Sequence, residues 1–470
     1  MNRAKRIAVL LGVLLVLCAA AVAVLRMEEH QEQIKTSGEV VLQIDPDAVQ
    51  SLSWDYNGQT FSFHRDGAWS YDSDAAFPVD EQKITSLLTQ FEQFGAVFTI
   101  SDVQDYAQYG LSDPLCTISI GTSDTSYEIS LGDYSSMDSL RYVSFGDGNV
   151  YLAAKDPLDE FDLSLRDLIL NDQIPDFDQV TSLTFSGAEN YSIFYEPDST
   201  ASYSADDVYF TEQEDALLPL DSTLVETYLS YLRYLDLTDY VSYNTSQQEL
   251  QQRGLEQPEL TLTVEYTGQD EQGEEASGSF VLHLGIDPQT LSQAEEQGVA
   301  VGELEDGDIV SYVRVGDSAI VYQLTPDVCR SLLEASCDNF RHRQVLWADW
   351  EDVTQLDILL EGEQYTISSQ GSGEDRTYLY DGQELDTAAL QDALAALRAD
   401  EFVDTAPSDT LEISLTVSLD NEQFPTVSLA FYRYDGTHCL AVVDGEPVSL
   451  VPRSDTVDLT EAVRALVWSS

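Results

Sequence analysis

The stretch FPVDEQKITSLLTQF, residues 77–91, sets apolar side chains at Ile84, Leu87, Leu88 and Phe91. Spacing of i, i+3, i+4, i+7 puts them on one stripe of a helix. Asp80 stands where an N-cap belongs, since a carboxylate there accepts from the free N–H groups of the first turn. Val79 before it and Ile84 after it have the spacing of a hydrophobic staple. The arrangement recurs in LPLDSTLVETYLSYL, residues 218–232, and in QELDTAALQDALAAL, residues 383–397. Asp221 and Asp386 are the matching candidate caps. The matching stripes are Val225, Tyr228, Leu229, Leu232 and Leu390, Ala393, Leu394, Leu397. Stripes of this kind are core faces before they are partner-binding faces.

Working outward, each helix is flanked by runs in which apolar and polar residues alternate, the mark of half-buried antiparallel strands. VQSLSWDY, TFSFHR and AWSY precede the first helix; CTISIG, SYEISLG and RYVSFGDGNVYLA follow it. The second and third helices have equivalent sets, so each unit reads as about three strands, a helix and about four strands. The fold class expected is α+β: an N-terminal transmembrane helix, then three tandem modules of antiparallel sheet with one main packed helix each. The boundaries read as 1–27 for a cytoplasmic tip and anchor, 28–39 for a linker, 40–170 for the first module, 171–345 for the second and 346–470 for a shortened third. The second module carries two acidic stretches, 268–279 and 285–308, expected as hairpin tips or surface insertions.

A second repeated string marks the modules. YGLSDP, residues 109–114, and RGLEQP, residues 253–258, each follow a short helical pattern. Ser101 with Gln104, and Ser246 with Glu249, have capping-box spacing. Gly110 and Gly254 are then expected as left-handed helix stops, each followed by an apolar contact, Leu111 or Leu255. Pro114 and Pro258 bar further helix and launch the next strand. All these residues are read as structural rather than as a ligand loop.

Composition excludes some functions. Of 470 residues, 85 are acidic and 21 basic, for a net charge of −64, which repels nucleic acid and anionic headgroups. The uncharged run Ile7 to Leu25 has about the length of a membrane span and follows Arg3, Lys5 and Arg6. It predicts a cell-membrane protein with a cytoplasmic N-terminus and an extracytoplasmic bulk. The competing reading is a cleaved signal peptide ending near Ala21-Val22-Ala23. Cys18 falls in this run; Cys116, Cys329, Cys337 and Cys439 form no CxxC and no zinc spacing. Cys329 and Cys337 fall on one predicted helix, too far apart to bridge, so buried free thiols are expected.

No phosphate loop or nucleophile elbow is present, and the five histidines sit singly. No catalytic, cofactor-binding or metal-binding residue is assigned. ELEDGDI, residues 303–309, and FGDGN, residues 145–149, place carboxylates in tight turns without matching the twelve-residue calcium loop. Trp54 and Trp69 fall in strands and read as core. Trp347 and Trp350 follow NFRHRQV, residues 339–345, whose Arg341 and Arg343 form the densest basic spot outside the N-terminus and are expected to pair locally with acidic neighbours.

With the repeats laid out, the chain resembles the bacterial proteins grouped as domain of unknown function 4340. The residues that carry this are GAWSY and FPVD before the first helix, YGLSDP leading into TISI, ISLGD, and RYVSFGDGNVYLA. The resemblance is clearest over 40–170, looser over 171–345 and weak over 346–470. It implies an exported, membrane-tethered protein of a family often encoded beside gliding-type ABC transporter components, with no catalytic residues to carry over. The function expected is therefore a non-enzymatic scaffold or accessory subunit of an ABC-type transport or envelope system, its permease or envelope partner met through residues 7–25. A surface module binding glycan, peptide or cation is the alternative, and an uncharacterised enzyme the third.

Overall fold

The computed structural model describes residues 38–213, 216–269 and 273–468. Its first sheet contains β1 (Glu39–Leu42), β2 (Val49–Tyr56), β3 (Gln59–Asp66), β4 (Ala68–Tyr71), β5 (Phe94–Ile100), β6 (Cys116–Thr122), β7 (Ser126–Ser135), β8 (Leu140–Ser144) and β9 (Val150–Ala153). The second contains β10 (Gln179–Gly187), β11 (Asn190–Tyr195), β12 (Tyr209–Gln213), β13 (Ala216–Pro219), β14 (Tyr240–Ser242), β15 (Leu260–Gln269), β16 (Glu275–Ile286), β17 (Ser311–Val315) and β18 (Val321–Leu324). The third contains β19 (Val353–Leu360), β20 (Glu363–Gln370), β21 (Thr377–Tyr380), β22 (Gln383–Leu385), β23 (Glu401–Phe402), β24 (Leu411–Leu419), β25 (Thr426–Arg433), β26 (His438–Val443) and β27 (Glu446–Pro452). Helices α1 (Glu81–Thr89), α3 (Ser222–Arg233) and α8 (Ala388–Ala396) are the three found from the repeat. The others are α2 (Leu158–Phe161), α4 (Gln247–Gln252), α5 (Pro288–Gln297), α6 (Pro326–Leu333), α7 (Cys337–Phe340) and α9 (Arg453–Trp468).

Eight strands follow one order in all three sheets; the ninth is β1 beside β5 in the first and β13 or β22 beside β12 or β21 in the others. A first meander starts on β2, β10 or β19, and that strand pairs with the first strand of a second meander, β6, β15 or β24. The strand after the main helix, β5, β14 or β23, crosses to pair with the last strand of the second meander, β9, β18 or β27. Register repeats as well. Trp54 pairs with Ile118 and Ile118 with Ile129; Phe185, Leu262 and Leu282 are linked the same way, as are Ile358, Leu415 and Leu429. All of them are buried. The leading strands carry a register shift at one equivalent place, Val49/Ser51, Val180/Ser182 and Val353/Gln355. A bulge there bends the strand and increases its twist, and its threefold recurrence marks it as part of the module.

The main helices cover the sheets as their stripes require. Ile84, Leu87, Leu88 and Phe91, the four equivalents on α3, and the four on or just after α8 are all buried. Each large apolar side chain among them contributes about 1.5–3 kcal/mol on removal from water, so these stripes, rather than helix propensity, hold helices of nine to twelve residues in place. In the first two modules the chain returns after its last strand to satisfy the helix start. The Asp80 N–H donates to Leu168 O at 2.9 Å, and the Asp221 N–H to Phe340 O at 2.8 Å. In the third, α9 packs on α8.

The described chain forms two compact units. One ends at Asp172 and takes in Ser242–Asn244; the other takes Gln173–Val241 and the chain from Thr245 onward, and so holds the third sheet and all of the second but the last residue of β14.

The α+β expectation is corrected. The architecture is three nine-stranded antiparallel sheets with few helices, not seven-stranded modules with one helix each. The strands missed are β1, β5, β13, β14, β22 and β23; all but β5 have two to four residues, too short for alternation to register, and the seven residues of β5, FGAVFTI, do not alternate apolar with polar. The membrane span expected over 7–25 lies outside the described residues, and no helix among the described residues is long and apolar enough to cross a membrane. Of the 268–279 stretch, Gly268 and Gln269 end β15 and Glu275 to Ser279 begin β16, while 285–308 forms α5 and two single 3-10 turns, an insertion rather than a hairpin tip. Arg330 secures that excursion by donating to Gly302 O, Leu304 O and Asp306. Cys329 and Cys337 lie on separate helices, α6 and α7, because Ser336 caps a new start.

Candidate functional site at the joint of the second and third modules

The segment from Arg341 to Trp350 leads from α7 into the third sheet, and two of its side chains, His342 and Trp347, converge on one buried carboxylate. Asp207, in the loop before β12, is 5% exposed. His342 Nε2 lies 2.8 Å from its Oδ1; Trp347 Nε1–H and the Ser202 hydroxyl donate to Oδ2 at 3.0 and 2.5 Å. The His342 ring stacks on Trp347 with centroids 4.2 Å apart and planes 6° from parallel, and Tyr203 packs on Trp347 at 4.8 Å. A buried carboxylate with partners on both oxygens is the satisfied form of a group that is costly to leave alone. Beyond it, Asn421 Nδ2 donates to Tyr203 O at 3.4 Å, so the third module reaches the same loop. Backbone bonds add to the fastening: Val345 N–H to Leu397 O and Ala399 N–H to Arg343 O, around a Gln344–Arg398 bridge.

The pairing of His342 with Asp207 orients the imidazole, but the nearby hydroxyl, Ser202, donates to the carboxylate and not to the ring. A histidine-activated nucleophile needs the opposite placement. Beside the joint a cleft of about 560 Å³ opens, lined by Tyr191, Leu218, Cys337, Arg341, Arg343 and Phe402 among others. Burial pushes the Cys337 thiol upward, away from the reactive thiolate, and does the same to the Tyr191 hydroxyl. The four cysteines described are free thiols; Cys116, Cys329 and Cys439 are buried, and burial raises Cys116 to about 12.

Asp80 caps α1 by accepting from Gln82 and Lys83 N–H, and Asp221 caps α3 by accepting from Thr223 and Leu224 N–H. Asp386 is corrected: Thr387 occupies the cap position of α8 without a side-chain bond, while Asp386 accepts only from Ala388 N–H at 3.1 Å. The Ser246–Glu249 capping box is formed on α4. Ser101 is corrected: β5 runs on to Ile100, and the only helical turn before Gly110 is a three-residue 3-10 turn capped without a side chain at Tyr106. Gly110 and Gly254 have φ of 69° and 70°, and Leu111 and Leu255 N–H reach back to Tyr106 O and Leu250 O. That is the bond a Schellman stop makes. After Pro114 and Pro258, Leu115 N–H donates to Leu131 O and Glu259 N–H to Leu284 O, starting β6 and β15.

Sequence reasoning missed the other half of this loop. A Cβ on Gly110 would come within 2.8 Å of Asp133 N, and one on Gly254 within 2.2 Å of Ile286 O. Opposite them, a Cβ on Gly132 or Gly285 would strike Tyr109 O or Arg253 O. The third module lacks the loop, and register puts Tyr432 where Gly132 and Gly285 stand, next after the partners of Cys116, Leu260 and Ile413. The available signal was the Leu-Gly of ISLGD and LHLGID. His283 bonds Thr261, and Asp147 of FGDGN bonds Tyr151 and Asn149. Among the described residues no group of three or more His, Cys, Asp or Glu is placed to hold a metal ion.

This threefold module has a counterpart in known sequences. The chain belongs to the family described as Domain of unknown function (DUF4340), which matches residues 69–213 and 211–415. Both matches begin on equivalent strands, β4 and β12, so the family's unit runs out of phase with the sheets. No curated protein and no solved structure matches the chain.

Proposed function

We propose that this protein is a non-enzymatic scaffold, an extracytoplasmic accessory subunit of an ABC-type transport or envelope system. What supports the reading most is the use made of its polar residues. The only histidine paired with a deeply buried carboxylate among the described residues joins two modules, and the basic stretch around it lies at the same joint. The sheets then serve as a frame with a strongly acidic composition. The ABC-type partner is what the family resemblance suggests. Affinity capture of the tagged full chain from detergent-solubilised membranes tests it, with an unrelated membrane protein as control. Recovery of a permease or ATPase above that control is expected; recovery of neither overturns the reading.

A further inference from the structure

The cleft at the joint has walls of two kinds. Leu218, Val443 and Val448 are apolar, and Phe402 on the edge strand β23 lies beneath two guanidinium groups, Arg341 at 3.8 Å and Arg343 at 5.9 Å from its ring centroid. Three carboxylates border the space, of which Asp338 pairs with Arg341 at 3.1 Å and Glu189 accepts the Cys337 N–H at 2.9 Å. The third, Glu212, is exposed. Arg343 donates to a carbonyl, Ala399 O at 3.2 Å, and no carboxylate of the described residues lies within ion-pair distance of it. In a chain with 85 acids and 21 bases, a guanidinium at a cleft without an acidic partner is an unfilled place for an anion. A volume of about 560 Å³ is that of a small-molecule site, and apolar walls beside one guanidinium that no carboxylate pairs favour an apolar body with one negative group placed at Arg343, away from Glu189 and Glu212.

We propose that this cleft binds a medium-chain carboxylate, with its carboxylate on Arg343 and its chain along Leu218, Phe402, Val443 and Val448. The site lies beyond the scaffold reading and does not depend on it. Calorimetric titration of the full chain with decanoate, decanol and decylamine is the test. Decanoate is expected to bind saturably, decanol about tenfold more weakly, and decylamine not at all. Arg343→Gln should weaken decanoate about tenfold and leave decanol unchanged, while Val448→Trp, which fills the cleft, should abolish both. Melting curves matching the parent establish that a variant is folded, and Val448→Trp stands as the deciding variant if Arg343→Gln is not. Equal affinity for the three probes, or decanoate binding untouched by a folded Val448→Trp, overturns the proposal.

Discussion

Gly110 shows how much one residue fixes. Its left-handed φ and its approach to the Asp133 backbone leave no room for a side chain. Gly110→Val should therefore destabilise the first module by about 1 kcal/mol or more, read from chemical denaturation, and a variant as stable as the parent would refute this. The turn was legible because Gly and Pro are local punctuation; its partner Gly132 was not, because a close approach across the chain leaves only an unremarked glycine in a strand. His283 carries a pH dependence. Burial on β16, with Arg314 adding repulsion, holds its pKa below the ordinary 6.5. The folded value then lies below the unfolded one, so the contribution is full above the unfolded pKa and is lost as the pH falls from there through the folded one. Between about pH 7.5 and about pH 5.5 the parent should lose more melting temperature than His283→Gln. Equal losses would remove histidine as the cause.

At the scale of elements, the helix caps separate what sequence pattern conveys from what it does not. Asp80, Asp221 and Asp386 look alike in sequence, yet only the first two occupy cap positions. Before α8 the chain leaves β22 one residue later, and Thr387 takes the place. Asp221→Ala should cost about 1 kcal/mol and Asp386→Ala clearly less; equal costs would show that the cap assignment is wrong. The joint could not be read from sequence, because Asp207 and His342 are 135 residues apart and each looks like an ordinary polar residue. Asp207→Ala strands the Trp347 indole N–H and the Ser202 hydroxyl, and should destabilise the unit holding the third sheet and nearly all of the second by about 2 kcal/mol. Tryptophan fluorescence during denaturation reports it, and an unchanged midpoint would contradict the role given to the carboxylate.

At the scale of the whole molecule, one eight-strand order used three times organises everything else. The repeat was visible through its helices, whose stripes and staples are local, whereas the nine-strand order depends on short edge strands that only pairing defines. The third module lacks the Gly-Leu-x-x-Pro loop yet keeps the shared strand order and the bulge, since the core positions Val353, Leu356 and Ile358 still match Val49, Leu52 and Trp54. Residue-resolved hydrogen exchange tests this most directly, since central strands open last and edge strands first. The threefold account predicts three separate maxima of protection, on β2 with β6, β10 with β15 and β19 with β24, each falling toward its sheet edges. A single maximum, or a third module without one, would contradict it.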